Sequence, residues 1–496
     1  TNDCGNIQPF LLLDKTFVSA SEPDQDGNFS ATYTITVRNV GGTTGTYDLD
    51  DTPAPDTNVT VNGAAVSGQI TTNYTGAGPY ELASGTAIGV GATHSYTLVV
   101  SLTLQDQILS GAVSVSLCEE GQSGFEANNG LFNEVTLVYG TNDVTLTTND
   151  CGEIPPFILL DKVAVDATEP DANGNFTATY QITVVNVGGT ATNYDLSDLP
   201  QPDTNVTVNG AAVSGQITTN YTGAGPYMLA SNTVIGAGAT HTYTLVLDLT
   251  LQNQVLDGSV TVSRCFESEV FLPGNGLYNE ATLVYGPSNK VLEAEDCLDV
   301  PPFLLIDKTF VDATEPDANG NFVVTYDVTV WNVGGSPALY DLEDQPQFDT
   351  NVTVSGGAVT GHVAGVLTGS GPYVIVTNEP IQSGDSHLFT ITLNAQLSLA
   401  TISGLADVSE CEQGNEGYVA GRGLFNEATV TYGTNDTTVT TNDCGEIPPF
   451  LIPVKTFVSA SEPDQDGNFQ VVYTVSVQNT GGSAGSYDLV ETPGFD

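Results

Sequence analysis

Four of the eight basic residues in this 496-residue chain sit at one recurring position, as Lys15, Lys162, Lys308 and Lys455. Polar and apolar residues alternate around each, and Lys15 shares its side with Leu11, Leu13 and Phe17. On a strand that side is the core, where an unpaired ammonium is costly. Asn133 shares parity with Val135 and Leu137 and recurs as Asn279 and Asn426. Asp51 shares parity with Tyr47 and Leu49 and recurs as Asp198, Asp344 and Glu491. Three separate strands thus each direct one polar group inward. Burial lowers a lysine pKa and frees a nucleophilic amine, while it raises a carboxyl pKa so that the acid can shuttle protons. An amine, a proton relay and a carboxamide can condense to an amide with loss of ammonia. The first strand of a unit would then be joined to its last, by autocatalysis and not as an enzyme. Two structural readings use the same residues: a buried Lys–Asp ion pair capped by the Asn amide, or a lysine reaching the rim beside Asp14. Parity does not choose among the three, because condensation needs near-contact geometry.

The strands that must hold these groups belong to a repeated unit. TNDCG at residues 1–5 returns at residues 148–152 and 441–445, with a diverged copy, EDCLDVPPF, at residues 295–303. Residues 56–80 are identical to 203–227, and residues 15–29 to 455–469. The units read as 1–146, 147–293, 294–439 and the first part of a fourth, 440–496, in a window from a longer protein. Within a unit the apolar period is two: Phe29, Ala31, Tyr33, Ile35 and Val37 face one way, with Ser or Thr between them. Gly-rich or Asp-Gly turns such as Gly41-Gly42, Asn62-Gly63 and Asp26-Gly27 separate the runs, and no stretch has a 3.6 period. This pattern predicts an all-β chain of two-sheet antiparallel sandwiches.

YTITVRNVGG (residues 33–42), YDLDDTPAP (47–55), the Gly-Ala-Thr before Tyr96 and FNEVTLVYG (132–140) resemble the immunoglobulin-like conserved-repeat domains of prokaryotic surface proteins. The resemblance extends over nearly the whole chain. It implies tandem immunoglobulin-like antiparallel β-sandwich domains in an elongated array, serving as stalk or adhesin modules. The Lys–Asp–Asn set is similar to that of the self-cross-linking domains of bacterial pilins and adhesins. The cysteines, and the extra segment at residues 118–130, depart from the repeat pattern.

Cys4 and Cys118, Cys151 and Cys265, and Cys297 and Cys411 are each 114 residues apart, leaving Cys444 over. No His or second Cys lies at metal-ligand spacing, so a disulfide framework and an oxidising, extracellular location are expected. Cys118 can pair with Cys4 inside a repeat or with Cys151 across a junction. Strand polarity favours Cys4. If residues 133–139 form the last strand, residues 113–117 run back to the pole where Cys4 lies.

EPDQDGNF at residues 22–29 recurs at 462–469, and as EPDANGNF at 169–176 and 315–322. Each copy offers three oxygen-bearing side chains around a glycine: Asp24, Asp26 and Asn28; Asp171, Asn173 and Asn175; Asp317, Asn319 and Asn321; Asp464, Asp466 and Asn468. Calcium is the cofactor such a set suggests, and an Asp-Gly turn is the equal alternative. Junction acids, Asp3, Asp150, Glu153, Asp296 and Asp443, can add ligands between repeats. His94, His241 and His387 recur without partner spacing and read as core histidines. Sequons at Asn58, Asn205 and Asn351 permit glycosylation and equally read as ordinary strand sequence.

The net charge of −51 disfavours nucleic acid and anionic membrane as partners, since a phosphate backbone needs Lys and Arg. Yet 40% of the residues are hydrophobic, enough for packed cores. No apolar run approaches the roughly 18 residues of a membrane helix. No Ser-His-Asp order, phosphate loop or zinc helix motif points to an enzyme. The expected function is an extracellular rod, stalk or filament on a prokaryotic cell surface, with neighbouring repeats and identical chains as partners. The alternative is an adhesin whose variable loops, residues 121–126, 267–272 and 413–419, bind a glycan or protein. The Thr-rich junction at residues 141–150 is expected to be an ordered, extended connector able to pair with an adjacent sheet edge.

Overall fold

A computed structural model describes residues 5–121, 124–265, 271–414 and 417–494. Cys4 and Asp3 lie outside the described residues, as do parts of the three variable loops. Among its described residues the first repeat has eleven strands: β1 (Leu11–Ala20), β2 (Asn28–Asn39), β3 (Gly45–Pro53), β4 (Val59–Gly68), β5 (Thr72–Thr75), β6 (Tyr80–Ile88), β7 (Thr93–Leu104), β8 (Glu120–Gly121), β9 (Gly124–Phe125), β10 (Asn133–Tyr139) and β11 (Val144–Asp150). They form a five-stranded sheet, β1-β2-β7-β4-β5, facing a four-stranded sheet, β11-β10-β3-β6; β8 and β9 pair only with each other. Both sheets recur with the same order in the second and third repeats, and a hairpin of Leu451–Ala460 with Val471–Asn479 opens the fourth. The chain is all-β, built of tandem antiparallel sandwiches.

Alternation accounts for the layers. In β2, Phe29, Ala31, Tyr33, Ile35 and Val37 are buried while their neighbours are not. They meet Leu49 from β3 and Val135 and Leu137 from β10 in one apolar cluster. The Asn-Val-Gly-Gly corner after β2 needs its first glycine for close approach: a Cβ on Gly41 would stand 2.3 Å from the Phe10 nitrogen. Asn39 fixes that corner, donating to the carbonyls of Thr43 (2.8 Å) and Ile88 (3.1 Å) and accepting from the Gly41 amide (3.0 Å).

Residues 144–150 are extended, as expected, and pair in full with the preceding repeat. β11 runs antiparallel to β10 from Asn133 opposite Asp150 to Tyr139 opposite Val144. This strand reverses the chain once more before the next repeat begins. The following segment then packs on the sandwich it has left: Ile154, Phe157 and Val187 belong to the first apolar cluster, and Leu131 donates to the Gly152 carbonyl at 2.8 Å. Val300, Phe303 and Val333 repeat the arrangement one joint later. Each joint therefore shares a core, and proteases need access to unpaired backbone. In limited proteolysis of the native chain, residues 144–150 are expected to survive intact; cleavage there at the rate of an unfolded peptide would contradict the paired strand.

Candidate functional site

The strands bring three predicted residues together inside each sandwich. Lys15 lies on β1 of the larger sheet; Asp51 on β3 and Asn133 at the head of β10 lie on the smaller one. Asn133 stands opposite Pro53 and Asp51 opposite Val135, two positions along the same face. Lys15 is 4% exposed, and Asp51 and Asn133 are fully buried. The Lys15 ammonium donates to the Asp51 carboxylate across the gap between the sheets, with neither side chain touching solvent. The pairs Lys162–Asp198 and Lys308–Asp344 repeat the contact. Lys455 also meets Glu491, but there both side chains are partly exposed.

Burial pulls the Lys15 pKa down, against the opposing pull of Asp51; burial likewise pushes Asp51 up, against the opposing pull of Lys15. Lys162 and Asp198 shift the same ways, and Lys308 is lowered by burial. Burial thus works against the charged form of Lys15 and Asp51, and of Lys162 and Asp198. Among the described residues, the Asn133 and Asn279 amides have no hydrogen-bond partner on either atom, and one oxygen each of Asp51 and Asp198 is also unpaired. In the third sandwich the amide turns onto the acid: Asn426 Nδ2 donates to Asp344 Oδ2 at 3.2 Å. A buried, unpartnered carboxamide costs about 1–3 kcal/mol, so two of them at one position need a reason.

A tyrosine completes the site, and parity alone did not identify it. The ring of Tyr33 lies 5.0 Å from the Lys15 amine, and Tyr180 and Tyr326 take the same place over Lys162 and Lys308. Each hydroxyl donates to a backbone carbonyl, Leu131, Leu277 or Leu424, just before the site asparagine. Burial pushes the Tyr33 hydroxyl far above its usual range. Phe17 packs edge-on at 5.6 Å. The available signal was recurrence: these tyrosines keep register in every repeat, as does Tyr473.

The disulfide pairing expected within a repeat is corrected. The bonds are Cys118–Cys151, Cys265–Cys297 and Cys411–Cys444, each crossing from one repeat to the start of the next. Cys4 and Cys118 are not partners, nor are Cys151 and Cys265 or Cys297 and Cys411, and Cys444 is not an orphan. The polarity argument failed because β10 is not the last strand. β11 follows it and reverses direction, so the head of β10, the segment bearing Cys118 and the start of the next repeat share one pole. Residues 113–117 form no strand; Val115 instead donates to the Val187 carbonyl at 3.0 Å.

The junction acids Asp150, Asp296, Asp443 and Glu153 accept hydrogen bonds from the backbone around them. Asp150 takes the Phe17 amide at 2.6 Å and the Cys151 amide at 2.9 Å, clamping β11 to the bulge in β1. Asp296 and Asp443 take the amides of Ala164 and Phe310 at 2.7 and 2.6 Å. Glu153 accepts from the Cys118 amide at 3.1 Å.

In the acidic turns, Asp24 caps its own loop, accepting from the amides of Asp26 (3.0 Å) and Asn28 (2.8 Å) and from the Asn28 side chain (3.3 Å). Those bonds hold the Asp24 carboxyl below its usual range, the Asn28 amide first among them. Asp171, Asp317 and Asp464 cap their loops the same way. Among the described residues, no three His, Cys, Asp or Glu gather as a metal cage. His94 is held by the Tyr47 hydroxyl at 2.8 Å.

No protein-family model matches the chain, and no curated protein does. Among solved structures, a biofilm associated protein B domain is similar at 11% identity over 63% of this chain and 87% of its own, with a TM-score of 0.15. A biofilm associated protein BSP domain is similar at 9% identity over 88% and 95%, with a TM-score of 0.19. An allantoicase from Saccharomyces cerevisiae is similar at 8% identity over 48% and 90%, with a TM-score of 0.12. Likenesses this slight carry no functional argument, which falls to the geometry. Among the described residues no helix is long and apolar enough to cross a membrane.

Two outcomes follow. Peptide mapping without reductant is expected to recover Cys118 joined to Cys151, and reduction to lower stability by about 2–4 kcal/mol for each bond broken. Recovery of Cys118 joined to Cys4 would contradict the topology. Because each acidic turn is closed by its own hydrogen bonds, a chelator is expected to leave the melting temperature within about 1 °C, and a fall of about 5 °C or more would favour the calcium reading.

Proposed function

We propose that the chain is a load-bearing part of an extracellular rod or filament on a prokaryotic cell surface, each sandwich being stapled internally by a lysine–asparagine amide. What carries the reading is the recurrence, in three sandwiches, of a shielded lysine–aspartate contact beside a fully buried asparagine, with no partner for its amide in two of them. The disulfides at each joint favour an oxidising location outside the cell.

In the proposed reaction, the neutral Lys15 amine attacks Cγ of Asn133. Asp51 takes the amine proton and delivers a proton to Nδ2. The Nζ–Cγ bond forms, the Cγ–Nδ2 bond breaks, and ammonia leaves; no oxidant or cofactor enters the balance. Tyr33 positions the participants, covering the amine with its ring and holding the backbone ahead of Asn133. The new amide links β1 of one sheet to β10 of the other. Tension entering through β1 would reach β10 without passing through the hydrogen bonds of either sheet.

Single-molecule pulling under reducing conditions tests this role. Each complete sandwich is expected to lengthen only by residues outside its Lys–Asn loop, and Lys15→Met to let the first sandwich extend completely. Full extension of every sandwich in the unaltered chain would overturn the proposal.

A further inference from the structure

Successive repeats touch at a second place, away from the disulfide. The hairpin joining Asn279–Tyr285 to Lys290–Asp296 turns back toward the first repeat, where Lys290 donates to the Pro23 carbonyl and lies 3.8 Å from the Glu22 carboxylate. One joint later, Glu169 occupies the corresponding hairpin of the third repeat. Its carboxylate accepts from the Thr434 amide at 2.6 Å, the Thr434 hydroxyl at 3.0 Å and the Asn435 side chain at 3.4 Å. Glu22 and Glu169 are the same residue of the repeated Glu-Pro-Asp turn.

The hairpin is shaped for this contact. Its first residue is a glycine with positive φ, Gly286 at +72° and Gly433 at +79°. A Cβ would lie 2.8 Å from a Glu22 oxygen at the first and 2.5 Å from Glu169 oxygens at the second, so a side chain there would push the carboxylate out. The last residue is left-handed too, Asn289 at +49° and Asp436 at +52°. The turn-bearing repeats answer in kind: Pro23 and Pro170 are buried and their glutamates half-buried, whereas Glu315 is exposed.

We propose that the turn closing the β10–β11 hairpin of every repeat is a receptor for the Glu-Pro-Asp turn of another repeat, the one preceding it in the array. The first repeat carries the seat ready-made. Its residues 140–143 spell Gly-Thr-Asn-Asp, as do residues 433–436, and Gly140 and Asp143 hold φ values of +77° and +48°. No heavy atom beyond its chain neighbours comes within 4 Å of where a Gly140 Cβ would stand, so the seat is open. The occupant it fits is a glutamate on a proline-stiffened turn, met by one backbone amide, one hydroxyl and one carboxamide. Each joint is then fixed on two sides, by shared core and disulfide on one and by the glutamate on the other, so that adjacent repeats cannot swing freely.

The test is pulsed dipolar spectroscopy on the full chain, with spin labels at non-cysteine positions on successive repeats. Glu169→Ala is expected to broaden the distance distribution between the second and third repeats at least twofold and to leave that between the first and second unchanged. Lys290→Met should do the reverse. Unchanged widths in both variants, with circular dichroism intact, would overturn the proposal, and so would equal broadening at both joints, which would mark general loosening.

Discussion

An amine cannot rest in an apolar core without a partner, and the interior of each sandwich is organised around that constraint. Lys15 has no route to solvent, so β3 must supply Asp51 at the one point where the two sheets bring them together. A buried ion pair is a poor source of stability, since desolvating both charges offsets most of their attraction. Removing one partner would cost about 3–5 kcal/mol, so neither can be lost alone. Nor does the pair account for Asn133, whose amide is buried beside it without a hydrogen bond. The proposed amide would resolve all three costs at once: the charge would disappear, the acid would be released and the carboxamide would become part of a bond.

The other organising feature is the return strand. β11 lets each repeat begin and finish at opposite poles although β10 runs toward the wrong one. It also brings Asp150 to the bulge beside Lys15 and carries the chain into the disulfide with Cys118. The lysine–aspartate site, the Asp150 clamp and the joint are thus neighbours. With a strongly acidic surface, neighbouring repeats repel one another at low salt, and the shared core at each joint works against that repulsion.

Much of this was readable from residue order, for a definite reason. Side chains on a strand alternate strictly, so parity alone put Lys15, Asp51 and Asn133 on inward faces, and turn glycines marked where runs ended. Polarity was not readable, because it depends on counting every strand, and residues 144–150, although alternating, read as a connector between repeats and not as a strand of one. One uncounted strand exchanged the poles and with them the cysteine partners. Tyr33 was hidden among ordinary core aromatics, since nothing local distinguishes a ring over an amine from a ring over a leucine. The glutamate seats involve residues more than 260 positions apart, such as Glu169 and Thr434, and only the stacking of repeats reveals them.

Intact mass under denaturing, reducing conditions tests the central claim most directly. Loss of ammonia removes about 17 Da per complete sandwich, so the account predicts a deficit of about 51 Da for three. The full sequence mass would contradict it, and a deficit of about 18 Da per sandwich would mean that water had left and that the lysine had joined the aspartate instead.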